Sequence, residues 1–124
     1  MKRVLVFLAA VLLLFFGSGS AFAASGPTAT TDGSSAQFID TTAHPNSFEV
    51  CDTDSDGDWV YVDYKVGSSS TVHRIEYHGG TAGGGGDGCI IESTTISNGK
   101  TVKYKSCQND AFDDTCSGWK TADS

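Results

Sequence analysis

Beyond residue 23 the sequence has no leucine and no methionine; all five leucines and the single methionine lie within the first 14 residues. The aliphatic side chains that remain are six valines and five isoleucines. Such a chain has little with which to build an amphipathic helix, whereas β-branched and aromatic residues suit a pleated sheet. Other absences exclude particular chemistries. No Cys-x-x-Cys spacing occurs, which removes the usual zinc and redox-pair patterns. No Gly-x-Ser-x-Gly elbow marks a nucleophile. The Gly-rich stretch Gly79 to Gly88 lacks the Gly-Lys-Ser/Thr ending of a phosphate loop, and no helix is expected after it.

Positive charge is also scarce, and part of it is expected to be lost. The longest apolar run, Val4 to Phe16, has 13 residues, too few for a spanning helix of roughly 20. It follows Lys2 and Arg3 and precedes Ala21-Phe22-Ala23, so residues 1–23 read as a signal peptide cut before Ala24. No cysteine stands at the cut, and the mature chain carries no membrane anchor. Removing 23 of 124 residues leaves 101, in which six basic residues face 15 acidic ones, a net charge of −9. A surface so acidic repels nucleic acid. The expectation is one small secreted domain.

Residues 24–36 hold no sizeable apolar side chain and read as a flexible leader before a β domain at 37–124. Apolar runs at 37–40, 47–51, 58–66, 70–78, 89–96 and 100–107, with a short one at Trp119, are separated by turn residues, the spacing of a small antiparallel β-sandwich or barrel. Two hairpins follow by register. Asn98-Gly99 suits a type I′ turn, which pairs Ser97 with Lys100, faces Cys89, Ile91, Val102 and Tyr104 inward, and sets Glu92 opposite Lys105 on the other face. A turn at Gly67 to Ser70 places Val60 opposite Tyr77, Val62 opposite Ile75 and Asp63 opposite Arg74. The second register leaves Trp59, Tyr61, Glu76 and His78 on the outer side.

Four cysteines in an exported chain imply two disulfides. The first hairpin turns Cys89 and Cys107 to opposite faces, which disfavours joining them and leaves two connectivities. Of these, Cys51 to Cys89 with Cys107 to Cys116 is preferred, because it closes the short acidic loop after Cys107 and ties an early strand across the domain.

Asp52-Thr53-Asp54-Ser55-Asp56-Gly57-Asp58 matches the start of a calcium loop, with hard oxygens at alternate positions and glycine at the sharp turn. Asp52, Asp54, Asp56 and the backbone of Asp58 would be the ligands; the competing reading is a polar turn, for which the same residues are favoured. Glu76 and His78 lie two apart on one strand face, but no third zinc ligand is evident, since His44 is a loop residue. Trp59 and Tyr61 beside Glu76 and His78 form a contact surface for a protein or a polysaccharide.

Cys51-Asp52, Asp56-Gly57 and Val60-Tyr61, then Cys89 after glycines, and Cys107-x-x-Asp110 leading to Cys116-Ser117-Gly118-Trp119, together resemble small secreted proteins of actinobacteria. The resemblance covers about residues 48–120 and implies export without implying an activity. The sequence thus points to an extracellular binding module, with the Trp59/Tyr61 face and the Gly79 to Gly88 loop as contact regions. The alternative is a small extracellular effector, a toxin or a hydrolase inhibitor using an exposed loop; a small hydrolase ranks third.

Overall fold

The computed structural model describes residues 25–79 and 88–124; the expected signal peptide and most of the Gly79 to Gly88 loop lie outside the described residues. Nine strands run as β1 (Ala29–Thr31), β2 (Ser34–Ile39), β3 (Ser47–Asp52), β4 (Val60–Val66), β5 (His73–Tyr77), β6 (Gly88–Ser93), β7 (Thr101–Gln108), β8 (Thr115–Cys116) and β9 (Lys120–Asp123). No helix occurs among the described residues. One sheet has the order β1-β2-β3-β6 and the other β5-β4-β7-β8, with β9 also paired to β7; every pairing is antiparallel. The protein is therefore an open all-β sandwich rather than a closed barrel.

Alternation along the strands builds the core. Phe38, Phe48 and Val50 from the first sheet meet Val60, Val62, Val102 and Tyr104 from the second, all fully buried. Phe48 is the hub, with ring centroids 5.2 Å from Phe38, 4.9 Å from Tyr64 and 5.4 Å from Tyr104. Edge-on and tilted aromatic contacts of this kind add about 0.5–1.5 kcal/mol each beyond area burial. A polar tie crosses the same interior, Ser34 Oγ to Ser106 Oγ at 2.7 Å.

The expected leader is strand from its first few residues onward. Residues 29–36 form β1 and the start of β2, and Ala29 and Ala36 are buried. Just before β1 the chain runs close to the core: a Cβ on Gly26 would stand 2.5 Å from both the Tyr104 hydroxyl and Ala122 Cβ. Low apolar content reflects this close approach, not an inability to order.

The β4–β5 hairpin has the expected register throughout, Val60↔Tyr77, Val62↔Ile75 and Asp63↔Arg74. The β6–β7 hairpin does not form. Its Asn98-Gly99 turn carries positive φ only at Gly99 (79°), so it is not type I′, and the chain uses it to cross between sheets. β6 pairs with β3 and β7 with β4, which lets Ile90 and Val102 face one core from opposite sides. Side-chain facing on β6 is inverted accordingly: Ile90 packs inward, while Ile91 (42% exposed) and Cys89 face out. Glu92 lies opposite Phe48, and Lys105 opposite Asp63.

Both disulfides take the preferred connectivity, Cys51–Cys89 and Cys107–Cys116, each joining directly opposed residues of neighbouring strands. The face assignment of Cys89 behind that preference was inverted. What separates Cys89 from Cys107 is that they belong to different sheets. Two disulfides suit an oxidising extracellular setting. No helix among the described residues is long and apolar enough to cross a membrane.

Candidate contact surface on the outer face of the second sheet

The outward positions of β4, β5 and β7 carry the residues that sequence reasoning had grouped. Tyr61 is flanked by Glu76 on β5 and Cys107 on β7, and Cys116 completes the row on β8. Trp59 precedes β4 and stacks on His78, centroids 4.7 Å apart at 22°, with Tyr61 at 5.5 Å. His78 Nε2 lies 3.2 Å from Glu76 Oε2. The four predicted residues are thus brought together, but in unequal roles. Glu76 and His78 are exposed, Trp59 is half-buried, and Tyr61 is only 2% exposed.

Tyr61 is covered because charged partners close over it. The Arg74 guanidinium lies 3.8 Å from the ring centroid and is held there by two hydrogen bonds to Asp63, Nε to Oδ1 at 2.7 Å and Nη2 to Oδ2 at 3.0 Å. A forked pair of this geometry is stronger than a point contact and fixes the plane of the guanidinium over the ring. On the other side the Tyr61 hydroxyl donates to Asp114 Oδ2 at 2.5 Å. Burial, reinforced by that bond, pushes the Tyr61 phenol up to about 12. Tyr61 is therefore an anchor within the face rather than a contact residue, a correction to its expected role.

What it anchors is the acidic loop between β7 and β8. The Cys107–Cys116 bond closes the loop, Asn109 N donates to Trp59 O at 2.8 Å, Asn109 Nδ2 to Asp114 Oδ1 at 3.2 Å, and Thr115 Oγ1 to Asp110. At its tip stands Phe112, fully exposed (103%), between Asp110 and Asp113-Asp114. Sequence reading marked the loop for its closure and missed this ring. The available signal was a lone aromatic inside a disulfide-closed, otherwise polar stretch.

The aspartate turn has a structural task. Residues 53–59 carry the chain from β3 in one sheet to β4 in the other. Asp52 Oδ1 accepts from Asp54 N, Asp54 Oδ1 from Ser55 N and Asp56 Oδ1 from Asp58 N, the local side-chain turns that such residues favour. Gln108, at the end of β7, donates through Nε2 to Asp56 and, at 3.5 Å, to Asp58. Asp52 is buried at 2% exposure while Asp54 and Asp56 are exposed, and no three of the turn's carboxylates bring oxygens within 4.8 Å of one another. Among the described residues only Glu49, Cys51 and Cys89 bring three such ligand atoms within 4.8 Å, and both sulfurs there belong to a disulfide. Among the described residues Glu76 and His78 likewise gain no third ligand.

Of the Gly-rich loop, only Gly79 and Gly88 are described. Both press on Tyr77: a Cβ on Gly88 would stand 2.5 Å from the Tyr77 hydroxyl, and one on Gly79 would overlap the ring. Residues 80–87, expected to be a contact region, lie outside the described residues. No family model, curated protein or solved structure matches this chain. The class that fold and surface define is an acidic, two-disulfide β-sandwich with one stapled loop raised beside an aromatic sheet face.

Proposed function

We propose that the chain is a secreted binding module that grips an extracellular protein through the Phe112 loop and the neighbouring Trp59/His78 edge. The observation that carries this reading is the full exposure of Phe112 on a loop held by a disulfide and four hydrogen bonds. An aromatic ring left in water forgoes about 1.5–3 kcal/mol of burial, and a tethered loop loses little further entropy when a partner supplies that burial. Rigid aromatic anchors of this kind dominate protein interfaces. Asp110, Asp113 and Asp114 around the ring fit a partner whose apolar pocket is rimmed by basic residues. The apparent signal peptide and the two disulfides support an extracellular place of action.

A second reading, a hydrolase inhibitor, draws on the same stapled loop, since Phe112 would then fill a specificity pocket. Immobilised wild-type and Phe112→Ala protein, exposed to extracellular protein and to polysaccharides, separate the possibilities. Protein retention lost in the variant supports the module. Inhibition of a hydrolase that accepts aromatic residues, abolished by the same substitution, supports the inhibitor. Retention indifferent to Phe112 refutes both.

A further inference from the structure

A second feature of the same sheet face lies away from Phe112 and has the opposite charge. A groove of about 450 Å³ is lined by Lys65, Lys103, Trp119, Thr121 and the β4–β5 turn at Gly67 to Ser69. In a chain with 15 acidic residues, none of the groove's lining residues is a carboxylate. Lys65 Nζ and Lys105 Nζ lie 5.0 and 5.3 Å from the Trp119 ring centroid, and the ring remains 44% exposed. The ion pairs among the described residues are Arg74–Asp63 and His78–Glu76, so no ion pair engages these three ammonium groups. Of the nearby acids, Asp63, opposite Lys105 across the ladder, is paired with Arg74, and Asp123 on β9 is not among the groove's lining residues.

We infer that this groove is a subsite for an acidic polysaccharide, a sugar polymer bearing carboxylates. Its volume lies within the roughly 300–1,000 Å³ of small-ligand sites. The lining ammoniums of Lys65 and Lys103, with Lys105 beside the Trp119 ring, supply charge complementarity, the exposed part of that ring offers apolar surface to a sugar ring, and the hydroxyls of Ser68, Ser69 and Thr121 offer hydrogen bonds to its hydroxyls. The net charge of −9 does not cancel the local patch, because at physiological salt charges beyond about 8 Å are largely screened. The Phe112 loop takes no part, so this subsite stands or falls independently of the proposed protein partner.

The test is affinity electrophoresis of the folded protein in gels containing polygalacturonate, a neutral galactan, polyglutamate or single-stranded DNA, with flotation on anionic vesicles in parallel. Retardation by polygalacturonate alone, weakened as salt rises, is expected. Lys65→Gln/Lys103→Gln, whose melting temperature should match wild type, should weaken it at least fivefold; Trp119→Ala should do the same, and Phe112→Ala should leave it unchanged. Absence of retardation by polygalacturonate overturns the inference, as does full retention of it by the double lysine variant. Equal retardation by polyglutamate removes the sugar from the account, and preferred binding of DNA or vesicles assigns the groove to another class of ligand.

Discussion

The Tyr61 hydroxyl and the Asp114 carboxylate meet at 2.5 Å, joining a buried ring of the second sheet to a loop that otherwise stands in water. The bond makes the sheet the support of the loop, with the Arg74–Asp63 pair closing over the opposite side of the same ring.

That support titrates. Burial, then the bond to Asp114, raises the Tyr61 phenol from 10.0 to about 12, so the unfolded chain releases its proton first. The resulting stability is complete below pH 10 and is lost as pH climbs toward 12, a drop of about 2–3 kcal/mol for two units. Urea unfolding of Tyr61→Phe across this range should show a shallower fall than wild type. Tyr64 and Tyr104, also raised by burial, act in the same direction. At pH 7 the variant should lose about 1 kcal/mol, the net worth of one hydrogen bond.

Gln108 ties the aspartate turn to the end of β7 through Asp56 and Asp58. Gln108→Ala removes the sheet-end donor to Asp56 and Asp58, whose carboxylates water can still reach, and should cost about 0.5–1.5 kcal/mol. Calcium against a chelator should shift the wild-type melting temperature by less than about a degree if the turn is held by its own hydrogen bonds alone, since a ligand stabilises only the state that binds it. A calcium-dependent rise of several degrees would restore the turn as a metal site.

The two disulfides should separate stability from binding. On the chain-entropy model, Cys51–Cys89, spanning 38 residues, contributes about 4 kcal/mol and Cys107–Cys116, spanning nine, about 3. Replacing the second pair by serine should leave a folded, less stable sandwich whose Phe112 loop no longer binds. Replacing the first should lower the melting temperature more and leave partner affinity intact in the folded fraction.

Local pairing was legible where pattern and charge agreed. On β4 and β5, Val62 with Ile75 and Asp63 with Arg74 required one register, and that register is found. Asn98-Gly99 announced a turn but could not announce which sheet each flanking strand would join. That choice is made by long-range burial, with Ile90 and Val102 drawn to one core from opposite sides. Ala29 and Ala36 were illegible as core because side chains so small carry little apolar signal, although both are buried. Trp59, Tyr61, Glu76 and His78 lie together as neighbours, yet which ring is covered depends on Arg74 and on Asp114, 53 residues away in sequence. The Trp119 groove was equally hidden, since its lysines come from β4 and β7 and its ring from the β8–β9 connection.

Retention of extracellular protein on immobilised wild-type and Phe112→Ala domains is the most direct test of the central claim. Phe112 touches little of its own chain, so the substitution should change unfolding free energy by no more than about 0.5 kcal/mol. A discrete protein held by the wild type and reduced at least tenfold on the variant is expected, with Lys103→Gln behaving as wild type. Equal retention on both resins, or none on either, would contradict it.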